Sequence, residues 1–214
     1  TSIAIVVPDL NGRVDQFDRT CRRVFDPAAY RLAGTGPEPW HISLGKPLTD
    51  WPLVTTALQV LGLSARQISQ PQAGRLLSSP HLRGWQELSF QRHATLSWLA
   101  QRAPYDLTPT ELTMALTQHG ESELSAAIEQ WRINRQQSPT TAWPSQWVAV
   151  FQQELSTLGF GHGRALDSRE YQTLQRWHDL LESFSALDVV ANEHMTRTKA
   201  LSLLRQRAAA TVFR

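Results

Sequence analysis

The chain has 214 residues, 41% of them apolar, with eight tryptophans, one cysteine and a formal net charge of +2. That length and composition describe a folded protein with a sizeable core, and no apolar run approaches the roughly 20 residues a membrane span requires. One cysteine, Cys21, excludes an internal disulfide and any multi-cysteine metal centre. It allows a reducing compartment, and we expect a cytoplasmic protein.

In chain order, "IAIVVP" at residues 3–8 is a continuous apolar run rich in β-branched residues and reads as a buried strand. Asp9 and Asn11 are candidate caps for an amphipathic helix with Val14, Phe17, Cys21 and Val24 at steps of three and four. Residues 26–40 read as a loop, and "HISLG" at 41–45 as a second short strand. Asp50 is expected to cap a helix over 51–63, with Pro52 in its first turn. From there the sequence is helical. Ser69 opens one helix and Pro80 closes it. Residues 85–102 form another, and "TPTE" at 108–111 is a capping box. Helices over 121–136 and 145–158 carry Trp131 and Trp147 on their apolar stripes. "GFGHGRALD" at 159–167 is a connector, and Asp167 or Ser168 caps a helix with Tyr171, Leu174, Trp177, Leu181, Phe184 and Leu187 on its expected buried face. A last helix follows Thr196 and runs to about Ala210. The predicted class is mainly α with a small α/β part: an α/β segment over 1–65 and a multi-helix bundle over 66–214.

Chemical signatures are sparse. There is no phosphate loop, no Gly-x-Gly-x-x-Gly turn, no His-Glu-x-x-His and no Gly-x-Ser-x-Gly elbow. We expect no metal site and no cofactor in this segment. The acidic pairs Asp15/Asp18 and Glu121/Glu123 read as solvated or dipole-compensating charges. His162 reads as part of a glycine-rich connector and His41 as a strand residue. Asp9, at the end of the first strand, is the one attractive nucleus for a catalytic reading, although a helix cap explains it as well. Lys46 and Lys199 are the only lysines. The resulting arginine bias suits phosphate contact, and a GC-rich genome produces it equally well. Arg13, Arg19, Arg22 and Arg23 form the densest basic stretch.

The order "IAIVVPDLNGRVDQFDRTCRRVF", "HISLGKPLTDWPLVTTALQVLGL" and "LLSSPHL" resembles the start of the second motor domain of superfamily I helicases. With "GFGHGRALDSREYQTLQRWHDLLESFSALD" and "RTKALSLLRQRAAATVF", the chain is similar to the inactivated branch of that superfamily, the AddB-like subunits of bacterial recombination nucleases and related DNA repair proteins. The resemblance covers nearly the whole chain. It implies a partial RecA-like unit followed by a 2B-like helical insertion, in a piece of a longer protein. It also implies that Pro8 stands where active relatives place a phosphate-reading arginine, so that Pro8 and Asp9 mark a degenerate motif IV. By the same analogy, Ser43, Lys46 and Thr49, with Arg13, are the expected DNA contacts. The expected function is a non-catalytic scaffold and DNA-contact surface, binding single-stranded or forked DNA beside a partner helicase or nuclease subunit. A helical interaction module that docks such a partner without touching DNA is the alternative.

Overall fold

The computed structural model describes residues 3–7, 10, 12–25, 45–102, 105–191 and 193–213. The chain divides into two compact units, 1–46 with 212–214, and 47–211. Among the described residues there are nine α-helices and only two-residue strands. The mainly helical class is therefore as expected.

The first unit contains α1 (Val14–Phe25). Cys21 is buried on it, and Val14 and Phe17 are half-buried. Val24, expected on the same stripe, is 60% exposed. Burial and the neighbouring Asp18 carboxylate push the Cys21 thiol up, which suits packing rather than reactivity. The strand expected over "IAIVVP" is corrected: residues 3–7 carry no regular structure, and Ile3, Ile5 and Val6 are exposed. An apolar run becomes a strand only when a neighbouring strand takes its backbone groups, and none of the described residues does so. Pro8, Asp9, Ser43 and His41 lie outside the described residues.

The second unit is a helical body. It comprises α2 (Pro52–Leu61), α3 (Gln70–Leu77), α4 (Trp85–Arg102), α5 (Pro109–Gln118), α6 (Ser122–Gln136), α7 (Pro144–Thr157), α8 (Ser168–Ser185) and α9 (Arg197–Ala210). Helix α2 is its axis. Nearly every side of it is buried, and it packs on α3, α7 and α8. Helix α7 also packs on α6, α8 and α9. Trp131, Trp147 and Trp177 are almost fully buried, as their stripes require. Trp147 stacks on Phe151 and donates its indole N–H to the Met195 carbonyl at 2.8 Å, satisfying a polar group that burial would otherwise leave costly.

The helix starts follow their sequence signals with one exception. Thr108 and Glu111 form the expected capping box on α5, and Asp167 and Glu170 form one on α8. Before α3, Gln72 reaches back to the Ser69 N–H at 2.9 Å. Asp50 does not cap α2. It belongs to a single 3-10 turn, Leu48–Asp50, and Trp51 takes the cap position without a side-chain bond. On α8 the buried face is Thr173, Trp177, Leu180, Leu181 and Phe184, so Tyr171 is exposed and Leu174 only half-buried. The helix sits turned by part of a residue step from the face that the tyrosine suggested.

Four of the starts are also stapled in pairs. Ile68–Ser69 runs antiparallel to Asp106–Leu107, and Thr141–Ala142 to Met195–Thr196. These minimal ladders fix where α3 meets the entry to α5, and where α7 meets the entry to α9. A third lock joins two loops. Gly161 donates to the His81 carbonyl at 2.8 Å, and Arg83 to the Leu158 carbonyl at 3.1 Å. A Cβ on Gly163 would stand 2.3 Å from the Pro80 carbonyl oxygen, so only glycine permits this backbone-to-backbone approach.

Candidate nucleic-acid interface

Helix α2 ends at Leu61, and its last carbonyls need donors. Two arginines of α9 supply them. Arg197 donates to the Leu61 carbonyl at 2.8 Å, and Arg205 to the Leu58 carbonyl at 3.2 Å. A cation at a helix C-terminus also meets the negative end of its dipole. Gly62 makes the approach of Arg205 feasible, since a Cβ there would lie 2.6 Å from the guanidinium. Arg197 is the first residue of α9, placed by the strand pair at Thr196 and stacked 4.9 Å above the Phe151 ring.

Beneath these groups lies Glu154 of α7, 1% exposed. Arg197 Nη2 reaches it at 2.7 Å, and Arg135, from the last turn of α6, donates to its two oxygens at 2.9 and 3.2 Å. Burial pushes the Glu154 carboxyl up to about 7, against the pull of Arg135. One carboxylate thus holds two guanidiniums in place.

Above it opens a cleft of about 930 Å³, walled by the end of α2, the segment after it, the end of α6 and the exposed face of α9. Arg66, Arg135, Arg197 and Arg205 line it, with the hydroxyls of Ser64, Thr198 and Ser202. No carboxylate and no aromatic ring is among the lining residues. A smaller hollow of about 110 Å³ shares Gly62, Leu63 and Arg205 with it and adds Arg75, so the basic track continues past α2. Arg66 and Arg75 are exposed and form no ion pair among the described residues. The arrangement is a trough of surplus positive charge with planar donors and small hydroxyls along its walls. It suits oxyanions, phosphate above all.

A second buried ion pair lies elsewhere in the body. Arg92 and Glu121 are both 0% exposed and stand 3.4 Å apart. Glu121 caps α6 by accepting from the Leu124 N–H at 2.9 Å, and Arg92 also donates to the Arg83 carbonyl. Burial raises the Glu121 carboxyl, with Arg92 pulling against it. The expectation of a solvated Glu121 is therefore corrected, whereas Glu123 is exposed. Among the described residues no group of three His, Cys, Asp or Glu could hold a metal ion.

The expected contact residues fall elsewhere. Arg13 precedes α1 in the first unit and is exposed. Lys46, also exposed, belongs to the two-residue strand Lys46–Pro47. Thr49 sits in the 3-10 turn, where its hydroxyl is spent on Asp50 at 3.1 Å, and it does not line the cleft. Ser43, Pro8 and Asp9 lie outside the described residues. The cleft arginines share no local sequence signal, because they come from three separate stretches: the segment after α2, the end of α6 and α9. Only Arg197, Leu201 and Arg205, at steps of four on one face of α9, gave a local signal.

Comparison of the chain with protein-family models, curated proteins and solved structures returns no match. Among the described residues no helix is long and apolar enough to cross a membrane.

Proposed function

We propose that the helical unit is a non-catalytic nucleic-acid scaffold that grips the phosphodiester backbone of DNA in the arginine-lined cleft. The carrying observation is the lining itself: four arginines, three hydroxyl residues and no carboxylate. Arginine forks match phosphate oxygens, and backbone contacts of this kind position DNA without reading its sequence. The absence of aromatic rings from the lining fits the same reading, since proteins that hold bases do so by stacking them. The resemblance to inactivated superfamily I helicases agrees with a DNA-contacting part of a bacterial recombination or repair helicase–nuclease. In that reading residues 1–65 are a partial RecA-like unit and the helices a 2B-like insertion, with contacts at Lys46 or Arg13 secondary to the cleft.

Fluorescence anisotropy with labelled single-stranded and forked DNA tests it. Four cleft arginines allow about three to four phosphate contacts, and a slope of log Kobs against log salt of about −2 to −3 for single strands. The double variant Arg66→Glu, Arg205→Glu is expected to abolish binding while the circular dichroism spectrum stays helical. A folded wild-type sample that shows no salt-sensitive binding at low ionic strength refutes the reading.

A further inference from the structure

The cleft's most unusual group is the carboxylate under its floor. Glu154 is 1% exposed, yet it sits against two cations that line an open trough. Its surroundings are simple to enumerate. Helix α6 presents Arg135 and the indole of Trp131, both of which pull the carboxyl down, and α9 presents Arg197. Helix α2 presents the Leu61 carbonyl, which Arg197 already occupies. Helix α8, the other element packed on α7, contributes no ion pair to Glu154. No histidine is among the residues lining the trough.

Resting on the reading of the cleft as a phosphate-binding trough, we propose that Glu154 is its positioning residue and its proton acceptor: it holds Arg135 and Arg197 in place, and it takes up one proton when a phosphodiester backbone enters. The physical reason is competition. An incoming phosphate and the Glu154 carboxylate are both anions facing the same two guanidiniums. With the carboxylate ionised, one of the two positive charges is already neutralised. With it protonated, both charges are uncompensated and act on the phosphate, and the carbonyl oxygen still accepts from Arg135 or Arg197. The hydroxyl form also costs less to keep in a site that solvent does not reach. Because burial already brings this carboxyl up to about 7, the added anion has to raise it only modestly to complete the uptake near neutral pH. The balance is one proton from solvent to a Glu154 oxygen for each chain that binds; the phosphodiester itself, far more acidic, stays ionised.

The sign follows from linkage. A group that is more protonated in the complex than in the free protein makes binding tighter as pH falls, by at most tenfold per pH unit for one proton. Affinity for single-stranded DNA is therefore expected to rise about fivefold between pH 8 and pH 6 at constant salt, and by no more than about tenfold. Glu154→Gln keeps an acceptor and removes the titration. It is expected to bind with the same affinity at both values, close to that of the wild type at pH 6.

Anisotropy titrations of the wild type and Glu154→Gln at pH 6 and pH 8 make the first test. Carbon-13 NMR of wild-type protein labelled at glutamate side-chain carboxyls makes the second, following the Glu154 signal against pH with and without DNA. The expected result is a midpoint that moves to higher pH when DNA is added. The wild-type experiment stands by itself if the glutamine variant does not fold. Binding that is equally tight at pH 6 and 8, or a Glu154 midpoint that DNA leaves in place, overturns this proposal and leaves the DNA-binding reading intact. A pH dependence that persists unchanged in folded Glu154→Gln assigns the proton to another group and also overturns it. Absence of binding at either pH is instead the failure of the reading on which it rests.

Discussion

The helical body contains two buried carboxylate–arginine centres, and they differ in stoichiometry and in access. Arg92 and Glu121 form a one-to-one pair, both fully buried, tied to a loop carbonyl and a helix N-terminus. Such a pair is electrically closed and joins α4 to the start of α6. Glu154 holds two guanidiniums at the floor of an open cleft. The second centre carries a surplus positive charge and can show it to a ligand. Burial of an ion pair thus does not by itself separate structure from function; the count of charges and the opening beside them do.

The comparison breaks most readily at Glu154. Glu154→Ala strips the counter-charge from two half-buried guanidiniums, and urea denaturation is expected to show a loss of about 2–4 kcal/mol. Glu154→Gln retains an acceptor and is expected to cost about 1 kcal/mol, since the native carboxyl is partly neutral near pH 7. The sealed pair comes next. Arg92→Met leaves Glu121 without its cation, at an expected cost of about 2–4 kcal/mol at pH 8. The freed carboxyl, already raised by burial, is neutral in the native state at low pH, so the deficit shrinks as pH falls towards 5. Melting curves at pH 5 and pH 8 check the direction.

The wild type itself should show a shallower pH signature with two opposed parts. The raised Glu154 contributes stability that is fully present below about pH 4.5 and is lost as pH rises through about 7. His81 is buried at 1% exposure, and desolvation lowers its imidazole against the pull of Glu170. Its contribution is present above pH 6.5 and is lost on acidification below it, because the unfolded chain then binds a proton that the native state refuses. His81→Phe is expected to flatten the acid side of a plot of melting temperature against pH and leave the neutral side as it was. The smallest effect belongs to the open rim. Arg66→Ser and Arg75→Ser are expected to change stability by less than about 0.5 kcal/mol, within the spread of ordinary surface substitutions, while weakening DNA binding.

How much of this the sequence disclosed depends on how local the cause is. Thr108 with Glu111 announces its helix start within four residues and the box forms, and of the two caps offered for α8, Asp167 or Ser168, the structure uses Asp167. The tryptophan stripes at 131, 147 and 177 are equally plain, because a large apolar side chain at helical spacing has few places to go. "IAIVVP" misled because a strand is completed by another strand, which its own residues do not supply. Tyr171 misled because its ring fits an interface as well as a core. Glu121 was legible as a helix-start charge, but its burial depends on Arg92 from a different helix. The cleft was the least legible of all. The arginine bias over lysine was visible in the composition, yet the trough exists only where the ends of α2 and α6 converge on one face of α9.

That convergence has a consequence for how the site comes into being during synthesis. The wall from α2 emerges from the ribosome long before Arg197 and Arg205, and Arg197 is aimed by a strand pair whose other half, Thr141–Ala142, is made much earlier. Until the last helix is released, the carbonyls of Leu58 and Leu61 have no cations and Glu154 has lost one of its two partners. A nascent chain of this protein therefore has no complete basic trough, and no segment shorter than the span from α2 to Arg205 contains one.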